Sequence, residues 1–129
     1  MTNLCSTDLH AAGLRVFREL LPGSLPDNDD DVDFGDGFAP ELMDIGLQSV
    51  FGALWAREGL GKRERSLVTL GILIALRATD ELHHHFQIAR QNGLTDEELA
   101  EVIYHASGYA GFPAANTARN VAAGALIER

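Results

Sequence analysis

An all-α domain is what this sequence predicts, on three observations. Apolar residues recur at spacings of three and four along most of the chain, the pattern of a helix that buries one face. Glycine and proline fall between those runs, at Pro22-Gly23, Gly59, Gly93 and from Gly111 to Pro113, where turns would separate helices. Strand signals do not recur. With 129 residues, 46% of them hydrophobic, the chain holds one domain's worth of core-forming material, so residues 1–129 are read as a single compact domain of about six helices.

Ser6 and Thr7 are candidate N-caps for a first helix, in which Leu9, Ala12, Val16, Phe17 and Leu20 share a face until Pro22-Gly23. Residues 22–37, "PGSLPDNDDDVDFGDG", combine prolines, glycines and aspartates with too few apolar side chains to offset the entropy of ordering, and form an acidic loop. Pro40 can open a second helix that carries Leu42, Ile45, Ser49, Val50 and Leu54 on one face, with Phe51 and Trp55, and stops by Gly59. From Lys62 to Arg77 apolar residues cover nearly every side, which predicts a buried central helix. Thr79 is a candidate cap for a fourth helix closed by Gly93. Thr95 and Glu98 have capping-box spacing ahead of Leu99, Val102, Ile103 and Ala106. Gly108 and Gly111 break that fifth helix, and Pro113 opens an alanine-rich sixth with Ala118, Val121, Ala122 and Leu126 inward.

Charge and cysteine usage narrow the function. Nineteen acidic residues against ten basic ones give a formal charge of -9, which repels phosphate backbones and anionic lipid headgroups. Neither nucleic acid nor a membrane is the expected partner. Cys5 is the single cysteine and cannot close an intramolecular disulfide, and the N-terminus lacks the pattern of a leader, so a cytoplasmic location is expected. The longest apolar run, residues 67–76, is far shorter than the roughly 20 residues a membrane helix needs.

Three of the five histidines are consecutive, in "ELHHHFQIARQNG". A helix turns about 100° per residue, so His83, His84 and His85 cannot present their rings to one ion. With Leu82 and Phe86 inward, His84 points about 160° away from Phe86, to water, and His83 falls on the flank opposite His85. His85 and Glu81 share a face bounded by Leu82 and Ile88, which predicts that the two ionisable groups are buried together. A carboxylate that orients an imidazole is an acid/base arrangement, although i, i+4 pairs also occur on ordinary helices.

Between Gly59 and Ala122 the motifs "RERSLVTL", "ELHHHFQIARQNG", "LTDEELAEV" and "YAGFPAANTA" follow in that order, with "GLRVFRELL" and "SVFGALWAREGL" near the front. Together they resemble the carboxymuconolactone decarboxylase family, a branch of the alkylhydroperoxidase-like all-helical fold. The peroxidase branch of this fold places a Cys-x-x-Cys four residues before the histidine matched by His85, where this chain has Ala78 and Glu81. Disulfide cycling needs both thiols, so that activity is excluded. The decarboxylase branch has a glutamate where Glu81 stands and the histidine of His85.

For that branch the resemblance implies a lyase that removes carbon dioxide from a carboxylated unsaturated lactone such as 4-carboxymuconolactone, with no metal or organic cofactor. His85 is then the general acid/base, oriented by Glu81, and Arg63 and Arg65 clamp substrate carboxylate. Glu64 either adds a carboxylate to the site or belongs to a solvated first turn, and Tyr104 and His105 either line the same cavity or simply pack there. The resemblance also implies a homo-oligomer, a trimer or hexamer, with a neighbouring subunit near the pocket. Two positions depart from the decarboxylase pattern: Ala53 stands where a glutamate is usual, and residues 22–37 lack a histidine. Those departures leave open a cofactor-free isomerase or cyclase on an enolisable compound, and a non-catalytic oligomeric binding module. A metalloprotein using His83 or His85 with His105 is a further alternative.

Overall fold

The computed structural model describes residues 6–127, and all regular structure among them is helical. Cys5, and the side chains of Ser6 and Thr7 that the sequence offers as caps, lie outside the described part of the chain. The α-helices are α1 (Ser6–Leu20), α2 (Leu42–Gly46), α3 (Lys62–Leu76), α4 (Thr79–Gln91), α5 (Asp96–Ala110) and α6 (Phe112–Ala125). They gather into two compact units, Met1–Gly59 and Leu60–Arg129. None of the described helices is long and apolar enough to cross a membrane.

In the first unit, Val16 and Leu20 of α1 are buried, as the spacing predicts, Leu9, Ala12 and Phe17 are half-buried, and Leu14, outside the predicted face, is buried as well. The Arg18 guanidinium organises the acidic loop, donating to the Pro26 carbonyl at 2.5 and 3.0 Å and to the Asp29 carboxylate at 2.5 Å. One cation from α1 thus supplies the order that the loop's own composition lacks. The second predicted helix differs in kind. After α2 the backbone continues as a π-helix, Leu47–Trp55, with Ala56 N–H donating five residues back to Phe51. The wider turn changes which side chains of Leu47–Trp55 point inward, while Leu42 and Ile45 precede it on α2. Leu42, Ile45, Val50 and Leu54, predicted to share the buried face, are exposed, whereas Leu47, Gly52 and Trp55 are buried.

The reason for that register lies at two glycines. A Cβ on Gly13 would meet the Leu47 carbonyl oxygen at 2.1 Å, and one on Gly52 would meet the Leu9 carbonyl oxygen at 2.2 Å. The backbones of α1 and the π-helix therefore cross in direct contact, with Phe17 and Phe51 edge-on beside them at 5.0 Å.

In the second unit, α3 and α4 form an antiparallel hairpin. Arg77 turns the chain in a left-handed conformation (φ 55°), and Asn92 at the far end donates to the Ser66 hydroxyl at 2.9 Å and the Lys62 carbonyl at 3.3 Å. Leu70, Ile74, Leu82, Phe86 and Leu99 pack against the small residues of α6, Ala114, Ala118 and Ala122 among them. Burying each large side chain contributes roughly 1.5–3 kcal/mol. Gly108, predicted to break α5, lies inside it, because the roughly 1 kcal/mol that glycine costs a helix is less than that packing returns. The break falls at Gly111 (φ 96°), and Pro113 occupies the first turn of α6. The Thr95–Glu98 capping box is present, but Thr79 is already helical and does not cap α4.

The central helix is not buried on every side. Val68 and Ile72 are each 54% exposed and Leu76 is 70% exposed, one apolar ridge along α3. Its opposite residues Ser66, Leu70 and Ile74 face inward.

Candidate active site

His85 enters the site because Leu82, Phe86 and Ala89, which flank it on α4, are fully buried and draw its side of the helix inward. Its residue is 7% exposed, while the Glu81 side chain one turn earlier is 65% exposed. Nε2 of His85 and Oε2 of Glu81 stand 3.9 Å apart, within ion-pair range but longer than a hydrogen bond. The predicted joint burial is therefore halved: the imidazole is inside and the carboxylate outside, because a solvated carboxylate avoids the desolvation cost that the helix projection ignores. Burial lowers the proton affinity of His85, the Glu81 charge raises it in opposition, and His84 lowers it again; the net direction is down from the ordinary 6.5.

His84 is exposed, as the helical projection requires, and His83 is half-buried, with the two rings edge-on at 5.6 Å. They face a polar groove between α4 and α6, with Asp80 and Asn120. Among the described residues no group of three or more His, Cys, Asp or Glu side chains converges as a metal ion would require.

Arg63 has a structural partner. It donates to the Glu98 carboxylate, tying the start of α3 to the start of α5, with Glu64 4.0 Å away on the other side. Glu98 closes the capping box as well, and the Thr95 backbone N–H together with Arg63 holds its carboxyl below the usual range. Arg65 is half-buried on α3, and the neighbouring Ser66 is buried and fixed by Asn92. That contact sets the position of the arginine-bearing turn of α3 against the end of α4. Sequence reasoning missed it, although an asparagine directly before the helix-closing Gly93 is a position where such contacts are made.

Arg63 also lines one end of a groove of about 710 Å³ between α3 and α5, floored by Leu67, Gly71 and Ala75. His105 lies in this groove, its ring against Tyr109 at 5.4 Å. Tyr104, the preceding residue, turns away from it into a smaller recess between α5 and α6 that includes Arg119. The sequence candidates are thus distributed: Glu81 and His85 together on α4, Arg63 and Glu64 with Glu98, and Tyr104 apart with an arginine that no sequence signal picked out.

The family model for the carboxymuconolactone decarboxylase family matches residues 40–124. The chain belongs to that family. It is 47% identical over 85 residues to a 4-carboxymuconolactone decarboxylase of Acinetobacter baylyi, a match covering 66% of this chain and 63% of that protein. It is 43% identical over 63 residues to a nitrosuccinic acid decarboxylase of Metarhizium robertsii, covering 49% of this chain and 44% of that one. A third relative, an uncharacterized 15.0 kDa protein of Paracoccus denitrificans, is 33% identical over 84 residues, covering 64% of this chain and 63% of that protein. The chain thus spans less than two thirds of the length of these relatives. Within the carboxymuconolactone decarboxylase family the matched stretch takes in all of α3, α4 and α5, with Arg63, Arg65, Glu81 and His85, while α1 precedes it.

Proposed function

We propose that this protein is a cofactor-free decarboxylase that removes a carboxylate from a carbon conjugated to an electron-accepting group, as in 4-carboxymuconolactone. The observation that carries the reading is a buried imidazole, His85, one helical turn from the Glu81 carboxylate at 3.9 Å, in a chain of this family. The names of two relatives support the reaction class, because an unsaturated lactone carbonyl and a nitro group can each take up the electron pair released with carbon dioxide.

In the proposed reaction the carbon–carboxylate bond breaks, carbon dioxide leaves without its bonding pair, and that pair moves onto the acceptor oxygen as an enolate. A proton then returns to carbon. Arg65 holds substrate carboxylate in this reading, and a guanidinium plane suits that task, while Arg63 is engaged by Glu98. His85 rests neutral near pH 7 because burial disfavours its charge. An anionic substrate alongside raises its proton affinity, so that it protonates through the solvent-facing Glu81 side and passes the proton to the enolate. The test is an ultraviolet assay of wild type and His85→Ala on freshly generated 4-carboxymuconolactone without added metal. General acid catalysis predicts a loss of about 10²–10⁴ in kcat. Unchanged turnover in the variant sinks the assignment, and no turnover in folded wild type moves the substrate elsewhere.

We also infer self-association. Val68, Ile72 and Leu76 form an exposed ridge without charge, and a chain of net charge -9 approaches a second copy at least electrostatic cost through an uncharged face.

A further inference from the structure

The recess between α5 and α6 brings an arginine, without a carboxylate partner among the described residues, next to two exposed aromatic rings. Three arginines meet carboxylates: Arg18 meets Asp29, Arg63 meets Glu98 and Arg90 meets Asp96. Arg119 meets none among the described residues; its Nη2 donates instead to the neutral Asn116 Oδ1 at 2.8 Å. In a chain with a formal charge of -9, the Arg119 guanidinium is thus held by a neutral amide, whose own nitrogen is a further donor beside it.

The recess beside it has a volume of about 190 Å³. Its floor is apolar, made by the buried Ile103 and Ala115. Tyr104 and Phe112 stand at its rim, 64% and 73% exposed, two aromatic rings that nothing in the folded unit covers. Ser107 also lines the recess, its hydroxyl proton committed to the Tyr104 carbonyl at 2.6 Å. A guanidinium, an amide donor, an apolar floor and two ring faces together suit a flat anion.

We propose that this recess binds a small planar unsaturated or aromatic monocarboxylate, its carboxylate on Arg119 and Asn116 and its ring between Tyr104 and Phe112. The site shares no lining residue with the α3–α5 groove and does not include Glu81 or His85. It stands independently of the proposed decarboxylation, because the ligand is held and not transformed there.

The probe is furan-2-carboxylate, titrated into the full chain by calorimetry and by amide NMR shifts of residues 104–119, with neutral furan-2-carboxamide in parallel. Wild type is expected to bind the carboxylate saturably, with shifts centred on Ser107, Asn116 and Arg119. Arg119→Gln weakens binding about tenfold or more, as loss of a charge-assisted hydrogen bond implies, and the carboxamide binds similarly weakly. Because Arg119 is exposed, the variant keeps the fold, which its circular dichroism and Tm confirm. His85→Ala keeps full affinity. The proposal fails if wild type shows no saturable binding, if Arg119→Gln binds as wild type does, or if His85→Ala and not Arg119→Gln removes binding. The last result would place the probe in the catalytic region and leave the decarboxylase reading standing.

Discussion

Burial pushes the His85 imidazole toward its neutral form while Glu81, exposed at 3.9 Å, pulls it toward the cation. Its folded proton affinity is lower than the unfolded value near 6.5, so below that pH the unfolded chain binds the extra proton first. The sign follows: this contribution to stability is complete above pH 6.5 and is lost as pH falls from 6.5 toward the lower folded value. Denaturant midpoints measured across that window should decline toward acid in wild type and decline less in His85→Asn. Glu81→Gln removes the upward pull, so an NMR titration of the His85 ring should midpoint lower than in wild type; an unmoved midpoint would show that the exposed carboxylate is screened from it. The outward turn of His84 and the inward turn of His85 are both legible in the sequence, since they depend only on helical rotation against Leu82 and Phe86. The exposure of Glu81 is not, because solvation competes with projection at the edge of a buried face.

At the scale of elements, a spacing pattern is only as good as the helix type it assumes. Val50 and Leu54 continue the face of Leu42 and Ile45 on an α-helix, but the π-helix from Leu47 to Trp55 turns inward a different set, Leu47, Gly52 and Trp55, at the crossing of Gly13 and Gly52. Alanine is a better helix former than glycine by about 0.5–1 kcal/mol, so in open space Gly52→Ala would stabilise. Against the Leu9 carbonyl the sign reverses, and urea unfolding should show a loss of about 1–3 kcal/mol or more. The turn between α3 and α4 makes the opposite prediction. Arg77 sits at φ 55°, a conformation costing a residue with a Cβ about 1–2 kcal/mol, and Arg77→Gly should raise Tm slightly. An unchanged or lower Tm would show that the Arg77 side chain contributes more than its backbone costs.

For the molecule as a whole, the net charge of -9 and the uncharged α3 ridge act together. The inferred self-association predicts a sedimenting mass above the 14.0 kDa of one chain, reduced in Ile72→Glu, since a buried unpaired carboxylate at an interface is strongly unfavourable. A 14.0 kDa species in both would remove the inference. Sequence alone determined the all-α class, the end of α1 before Pro22-Gly23, the end of α4 before Gly93, the proline in the first turn of α6, the Thr95 capping box and the family, because these rest on periodicity, caps and motifs local to a few turns. Tertiary structure alone decided that α3 leaves Val68, Ile72 and Leu76 exposed, that Arg63 belongs to Glu98, and that Tyr104 and Arg119 line one recess. Those outcomes depend on which residues distant in the chain come to share a surface. A hydrophobic pattern records that a side chain favours burial, whereas the packing of α3, α5 and α6 decides where burial, charge pairing and open cavity are found.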